Sequence, residues 1–158
     1  MTNQTWQNKT VKILDELLLV GFRVLCSGDQ YTNEISKTSL RLNTRMSEIK
    51  HVINPSQQVG AFVVENSSDD EDGYWICFEV SKYEDIPNDM VTLTIPSQKY
   101  AVLRHRGSNV EIMNAYQDLH LWMKENNYRR QKEKWHIERF YNWIDPKNVD
   151  VELFDTIH

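Results

Sequence analysis

The chain has 158 residues, 40% hydrophobic and 26% charged, with a formal net charge of −5, a size and balance that fit one core in an ordinary globular protein. The acidic balance offers no electrostatic footprint for phosphates, so nucleic acid is not an expected direct partner, while a cationic ligand is mildly favoured. No apolar run reaches the length of a membrane span, and the polar start does not read as a signal peptide. The two cysteines, Cys26 and Cys77, lack metal-type spacing and fit reduced thiols in a cytoplasmic protein.

Residues 10–26 carry two extended apolar runs, 11–14 and 17–25, broken at Asp15-Glu16, with Gly21 placed to ease a bend or bulge. From Tyr31 the period lengthens. Ile35, Leu42, Met46, Ile49 and Ile53 recur at helical spacing, and Asn54-Pro55 is the expected stop. Residues 59–65 and 74–81 read as strands joined by an acidic loop, 66–73, and residues 90–95 and 100–106 as strands around Pro96-Ser97-Gln98. Ser108 and Glu111 form a capping box ahead of an apolar stripe, Ile112, Ala115, Leu119 and Trp122, which should end at Asn126-Asn127. Residues 135–143 and 149–155 are two closing strands.

Each half therefore reads strand, strand, helix, strand, strand, in pseudo-repeats near 10–82 and 89–157 of a single domain spanning 1–158. The expected fold is α+β, with two pseudo-symmetric halves of antiparallel strands and a ligand cleft between them. Superposing the third strands sets residues 60–66 on 136–142, so Glu138 stands where the first half has Phe62.

The aromatic-rich strand 135–143 carries the most chemistry. Alternation puts Trp135, Ile137, Arg139, Tyr141 and Trp143 on one face and His136, Glu138, Phe140 and Asn142 on the other. A carboxylate among so many apolar neighbours is either paired with a cation across the sheet or open to one from outside. Five Trp and seven Tyr could line a pocket or simply fill the core. His136, two residues from Glu138, could tune that carboxylate or act as an acid–base partner, or stand half-exposed at the strand entrance. No other acid–base group is evident beside Glu138, and no Ser-His-Asp order, phosphate loop or metal-ligand set is present. Residues 68–79 nearly spell a calcium loop, but the first position is Ser68 and the flanks read as strands, so a solvated acidic hairpin tip is preferred. No metal or cofactor is expected.

Several segments together, Y-W-I-C-F-E-V at 74–80, T-I-P-S-Q-K-Y-A-V-L-R-H-R-G at 94–107, H-I-E-R-F at 136–140 and V-E-L-F at 151–154, resemble the GyrI-like small-molecule-binding domain, also called the AraC-type effector-binding domain. The resemblance covers residues 12–157. It implies that Glu138 lies at the base of an aromatic pocket and pairs with lipophilic cations, with Phe62, Trp75, Tyr116, Trp122, Phe140 and Phe154 as candidate walls, although Tyr116 and Trp122 could equally be helix core. Phe154 falls where some members place a pocket tyrosine, so a hydroxyl would be lost there. Regulators of this family carry a helix-turn-helix in front, for which the pattern here leaves no room. A stand-alone receptor acting through a protein partner or by sequestering a compound is therefore implied. Alternatives within the family are hydrolysis of cyclopropane-bearing compounds with Glu138 as general base, a gyrase-inhibitor-like protein contact, and, through the distant SOUL-type relatives, haem binding with His136 as the one axial candidate.

Overall fold

A computed structural model describes residues 8–66 and 68–158; residues 1–7, which hold most of the polar start, and Ser67 of the acidic loop lie outside the described residues. The strands are β1 (Lys9–Leu14), β2 (Leu17–Val24), β3 (Gln58–Val63), β4 (Tyr74–Val80), β5 (Val91–Ile95), β6 (Gln98–Gly107), β7 (Trp135–Asn142) and β8 (Val149–Ile157), and the helices are α1 (Tyr31–Thr44) and α2 (Ile112–Glu125). All eight strands form one antiparallel sheet in the order β1-β6-β8-β7-β3-β4-β2-β5.

That order is its own mirror when the halves are exchanged. The first strand of each half leaves its own unit to pair with the second strand of the other, β1 with β6 and β5 with β2. The two third strands meet at the centre, where Gly60 faces Glu138, Ala61 faces Ile137 and Phe62 faces His136. Superposing 60–66 on 136–142 maps this ladder onto itself, so the pseudo-twofold passes through the Ala61–Ile137 pair.

The connections force the sheet to curl. β5 and β6 lie six strand spacings apart in the order, about 29 Å in a flat sheet, yet only Pro96 and Ser97 join them. Such a link spans at most about 10 Å. Asp15 and Glu16 impose the same condition on β1 and β2, and the Ser97 hydroxyl donates to the Leu14 carbonyl (2.9 Å) between the two links. Inside the curl the strands fill their own core, with Leu19, Trp75, Tyr100, Ile137 and Phe154 buried together. Both helices lie on the outer face. The Leu42 side of α1 packs on Phe22, Ile76 and Phe78, and Leu119 and Met123 of α2 pack on Leu103, Val151 and Leu153.

Three local expectations are corrected. α1 ends at Thr44, ten residues before Asn54-Pro55, because Arg45 leaves helical geometry and its guanidinium turns to Glu48 and Asp89; Met46–Glu48 is only a 3-10 turn. Ser108 caps α2's approach by accepting from Val110 N–H (3.3 Å), and a 3-10 turn, Asn109–Glu111, precedes the helix. Gly21 makes no bulge, since β2 pairs β4 in continuous register from Leu18–Val80 to Val24–Tyr74. What Gly21 allows is close approach: a Cβ there would lie 2.1 Å from the Ile76 carbonyl oxygen and 2.6 Å from Cys77 Cα. Gly21→Ala must therefore push β2 and β4 apart, and we expect it to lower unfolding stability by about 2–3 kcal/mol, read as a drop in the urea midpoint.

Candidate functional site

The pseudo-twofold leaves the outer face of β7 and β3 uncovered, because α1 sits over β2 and β4 while α2 sits over β6. A cavity of about 870 Å³ opens there between the helices, towards the upper end of the ~300–1,000 Å³ usual for small-molecule sites. Ile35, Ser39 and Leu40 of α1, Tyr116 and His120 of α2, and Phe62, Tyr74, Glu138 and Phe140 of the sheet line it. Gln58, fully buried, ties α1 to β3 through paired side-chain bonds with Ser39. The mouth is apolar as well: Leu40, Val110, Met113 and Ile144 are all exposed large hydrophobics on its rim.

Glu138 forms the floor. Its two strand partners are Gly60 and Leu153, so no cation meets it across the sheet, and among the described residues none lies within ion-pair distance. Two phenols hold it instead. The Tyr74 hydroxyl donates to Oε1 (2.6 Å) and the Tyr116 hydroxyl to Oε2 (2.5 Å). Burial raises the Glu138 pKa, and the bonds from Tyr116 and Tyr74, with the nearby His136, only partly offset that rise. Burial first, and then the Glu138 charge, push both phenols well above their ordinary range, so they remain neutral donors.

Gly60 makes this clamp possible. A Cβ on it would fall 1.7 Å from the Tyr74 oxygen and 2.4 Å from the ring carbon bearing it. The missing side chain opposite Glu138 is thus the space through which Tyr74 reaches from β4 over β3. Phe62 then stacks between Tyr74 (5.9 Å between centroids) and His136 (5.7 Å), giving the floor a continuous aromatic wall.

A second polar cluster adjoins this wall. Asp155, fully buried on β8, accepts from His120 Nε2 (2.7 Å), Arg130 Nε (2.9 Å) and His136 Nε2 (3.2 Å). Burial would raise its pKa, but the bonds from His120 and His136, the His136 charge and the Arg130 bond outweigh that and hold it well below the usual range. Asp155 thereby fastens α2, the segment after it, β7 and β8 at one point.

The anticipated site residues divide cleanly. Glu138, Phe62, Phe140 and Tyr116 come together around the cavity. Trp75, Phe154 and Trp122 do not, and these three placements are corrected. Trp75 and Phe154 point into the curl, where Trp75 meets Trp135 edge-on (5.0 Å) and Phe154 meets Tyr100 (5.4 Å). Trp122 packs on Tyr128 (5.5 Å) in the core under α2. The hydroxyl expected to be missing at Phe154 is therefore not missing from the cavity, which has the phenols of Tyr74 and Tyr116. His136 is buried rather than half-exposed, and both its ring nitrogens face acceptors, Lys134 O (3.0 Å) and Asp155. Acid–base groups do stand near Glu138, contrary to expectation. A register shift between Phe140 and Asn142 reverses the alternation, so Trp143 turns to the cavity instead of sharing the Trp135 face. Glu79, the twelfth position of the calcium-like pattern, is a strand residue facing Arg139 (3.7 Å), and Arg23 ties the acidic loop by bonding the Asp69 and Asp72 carbonyls.

Sequence reasoning missed Tyr74, His120, Arg130 and Asp155. Tyr74 and Asp155 are the immediate neighbours of Trp75 and Phe154, so the signal was present but on the other parity of each strand.

Two outcomes follow from this geometry. Gly60→Ala should displace the Tyr74 ring and break its bond to Glu138 while leaving the fold intact, visible as a changed near-ultraviolet tyrosine signal with unchanged far-ultraviolet dichroism. Asp155, with its depressed native pKa, contributes stability that is fully present above about pH 4 and is lost as pH falls through the native value. Asp155→Asn should cost about 3 kcal/mol at pH 7 and flatten the loss of stability below pH 4 in urea titrations.

Comparison with known proteins places this geometry in context. A family model described as the GyrI-like small molecule binding domain matches residues 10–154. The transcriptional regulator BrlR of Pseudomonas aeruginosa is 29% identical over 85 residues, covering 51% of this chain and 31% of BrlR, so the chain spans about a third of that relative's length. The solved structure of SAV2435 bound to tetraphenylphosphonium superposes with a TM-score of 0.71 at 17% identity, over 95% of this chain and 93% of that one. EcmrR, from a cryo-EM structure of its DNA complex, gives a TM-score of 0.71 at 14% identity, over 95% of this chain and 57% of that one. At such identities the structural likeness concerns the fold. Among the described residues, no helix is long and apolar enough to cross a membrane.

Proposed function

The chain belongs to the GyrI-like small molecule binding domain family, and from that premise we propose that its cavity is a receptor site for amphipathic aromatic cations, with Glu138 as their counter-ion. The observation that carries this reading is the state of Glu138. It is a carboxylate deep in an aromatic cavity, held by two neutral phenols, with no cation within ion-pair distance among the described residues. Desolvation makes its charge costly, so an organic cation entering the cavity recovers much of that cost. The faces of Phe62, Tyr74 and Tyr116 add apolar area and cation–π attraction.

Tyr74 and Tyr116 are positioning residues in this scheme. By occupying one oxygen each, they hold the carboxylate plane still and leave its outward lone pairs to the ligand. The apolar rim at Leu40, Met113 and Ile144 suits the hydrophobic body of such a compound at the mouth. The tetraphenylphosphonium in the SAV2435 structure is a cation of this class, and BrlR is named a transcriptional regulator. Both support a receptor whose occupancy is read out by a regulatory partner.

Glu138→Gln tests the reading. Binding of tetraphenylphosphonium, followed by tryptophan fluorescence, should weaken at least tenfold, as expected for a lost charge–charge attraction of roughly 2–3 kcal/mol at an effective dielectric near 20, while a neutral tetraphenyl analogue should be unaffected. The sign of the pKa shift also fixes the effect on stability. A raised carboxylate pKa means that ionisation opposes folding as pH rises through the native value, so the variant should be at least as stable as wild type at pH 7. Loss of stability there, or equal cation affinity in both proteins, would overturn the assignment.

A further inference from the structure

Resting on the receptor reading, we propose that the cavity has a second pole, a donor site at Arg130, which selects cations that carry an oxygen acceptor at the end remote from their charge. Arg130 lines the same cavity as Glu138 and is fixed there by its Nε bond to Asp155 (2.9 Å). Among the described residues its guanidinium makes no other side-chain hydrogen bond, and its terminal nitrogens are not among the buried polar atoms lacking a partner. Those N–H groups are therefore accessible and unused. Arg cannot lose its charge, and its planar fork presents several donors in fixed directions, which suits a carbonyl or carboxylate oxygen.

The local charge balance makes the pole a donor rather than an acid. Asp155, its one carboxylate, is fully buried and already receives three nitrogens, from His120, Arg130 and His136. A ligand oxygen arriving from the cavity consequently meets the guanidinium, because both Asp155 oxygens are already taken by the three nitrogens. The anchoring also cuts the entropy that a free arginine would lose on binding, because Asp155 holds the side chain in place beforehand.

Two poles suit the size of the cavity. His136 lies two residues from Glu138 on the same face, and the chain His136–Asp155–Arg130 continues away from it. This places the guanidinium on the order of 10 Å from the Glu138 carboxylate, given about 3.3 Å of rise per strand residue. Phe62 on the sheet, stacked between Tyr74 and His136, and Tyr116 on α2, beside His120 (5.9 Å), supply aromatic faces between the two. An elongated, flat ligand with a cation at one end and a carbonyl at the other satisfies both. A compact cation satisfies only Glu138 and leaves much of the 870 Å³ unfilled.

The test compares two phosphonium cations of the same shape, para-acetylbenzyl-triphenylphosphonium and para-isopropenylbenzyl-triphenylphosphonium, which differ in one oxygen. Titrated calorimetrically into wild type, the acetyl compound should bind about tenfold more tightly, as one hydrogen bond to a charged donor implies. In Arg130→Met, which fills similar space without a donor, that preference should vanish, and affinity for the isopropenyl compound should hold or rise because a positive charge has left the cavity, which also shows that the cavity has survived the substitution. Arg130→Lys, which preserves the charge against Asp155, should retain only part of the preference. Equal binding of the two cations to wild type, or a preference that persists undiminished in Arg130→Met, would overturn the donor pole and leave the receptor reading standing. Failure of both cations to bind wild type would instead overturn the receptor reading, and the donor pole with it.

Discussion

A carboxylate placed opposite a residue without a side chain is the constraint on which the site turns. Glu138 and Gly60 face one another across the central ladder, and the volume left empty by Gly60 is taken by the Tyr74 ring. One glycine thus allows a side chain from the next strand to cross over β3 and reach Glu138. Tyr116 completes the clamp from the helix above. The carboxylate remains desolvated and hydrogen-bonded, with no cation at ion-pair distance among the described residues, which is an unusual state for a desolvated carboxylate. A site of this kind binds by relieving a cost that the fold has already incurred.

Asp155 shows the opposite solution to the same problem. It is fully buried where Glu138 is partly open to the cavity, yet three nitrogens surround it, and its pKa is driven down where that of Glu138 is driven up. The two carboxylates share one cavity, but one is tied by three nitrogens and the other is held only by phenols. Their opposite shifts follow their partners, phenols in one case and cationic or ring N–H groups in the other.

The pseudo-twofold explains why a cavity exists at all. Exchange of β1 and β5 between the halves binds the two units into one sheet, and the short links at Asp15-Glu16 and Pro96-Ser97 curl it. The inner face seals on itself. On the outer face the helices cover the flanks and leave the centre, where β3 and β7 meet, for the ligand. Symmetry breaks where chemistry begins: the axis relates Phe62 to Glu138 and Gly60 to His136, so the aromatic wall, the carboxylate and the buried histidine come from equivalent positions filled differently.

The sequence by itself determined the element order, the repeat, the α+β class and the singular character of Glu138. These rest on local signals: hydrophobic period, turn residues, and a lone carboxylate among aromatics. It also placed Phe62 and Phe140 on the face of Glu138, because alternation within one strand, and the superposition of the two third strands, need no knowledge of distant partners. Only the tertiary structure decided which parity of β4 and β8 faces the cavity. The period of two is visible in Y-W-I-C-F-E-V, but its phase is not, since in a sheet covered on both faces Tyr74 and Trp75 are equally apolar neighbours and the curl consumes one of them. The same ambiguity exchanged Asp155 for Phe154. The register shift after Phe140 and the early end of α1 were hidden for a related reason: each depends on bonds to residues far along the chain, and local pattern carries no record of them.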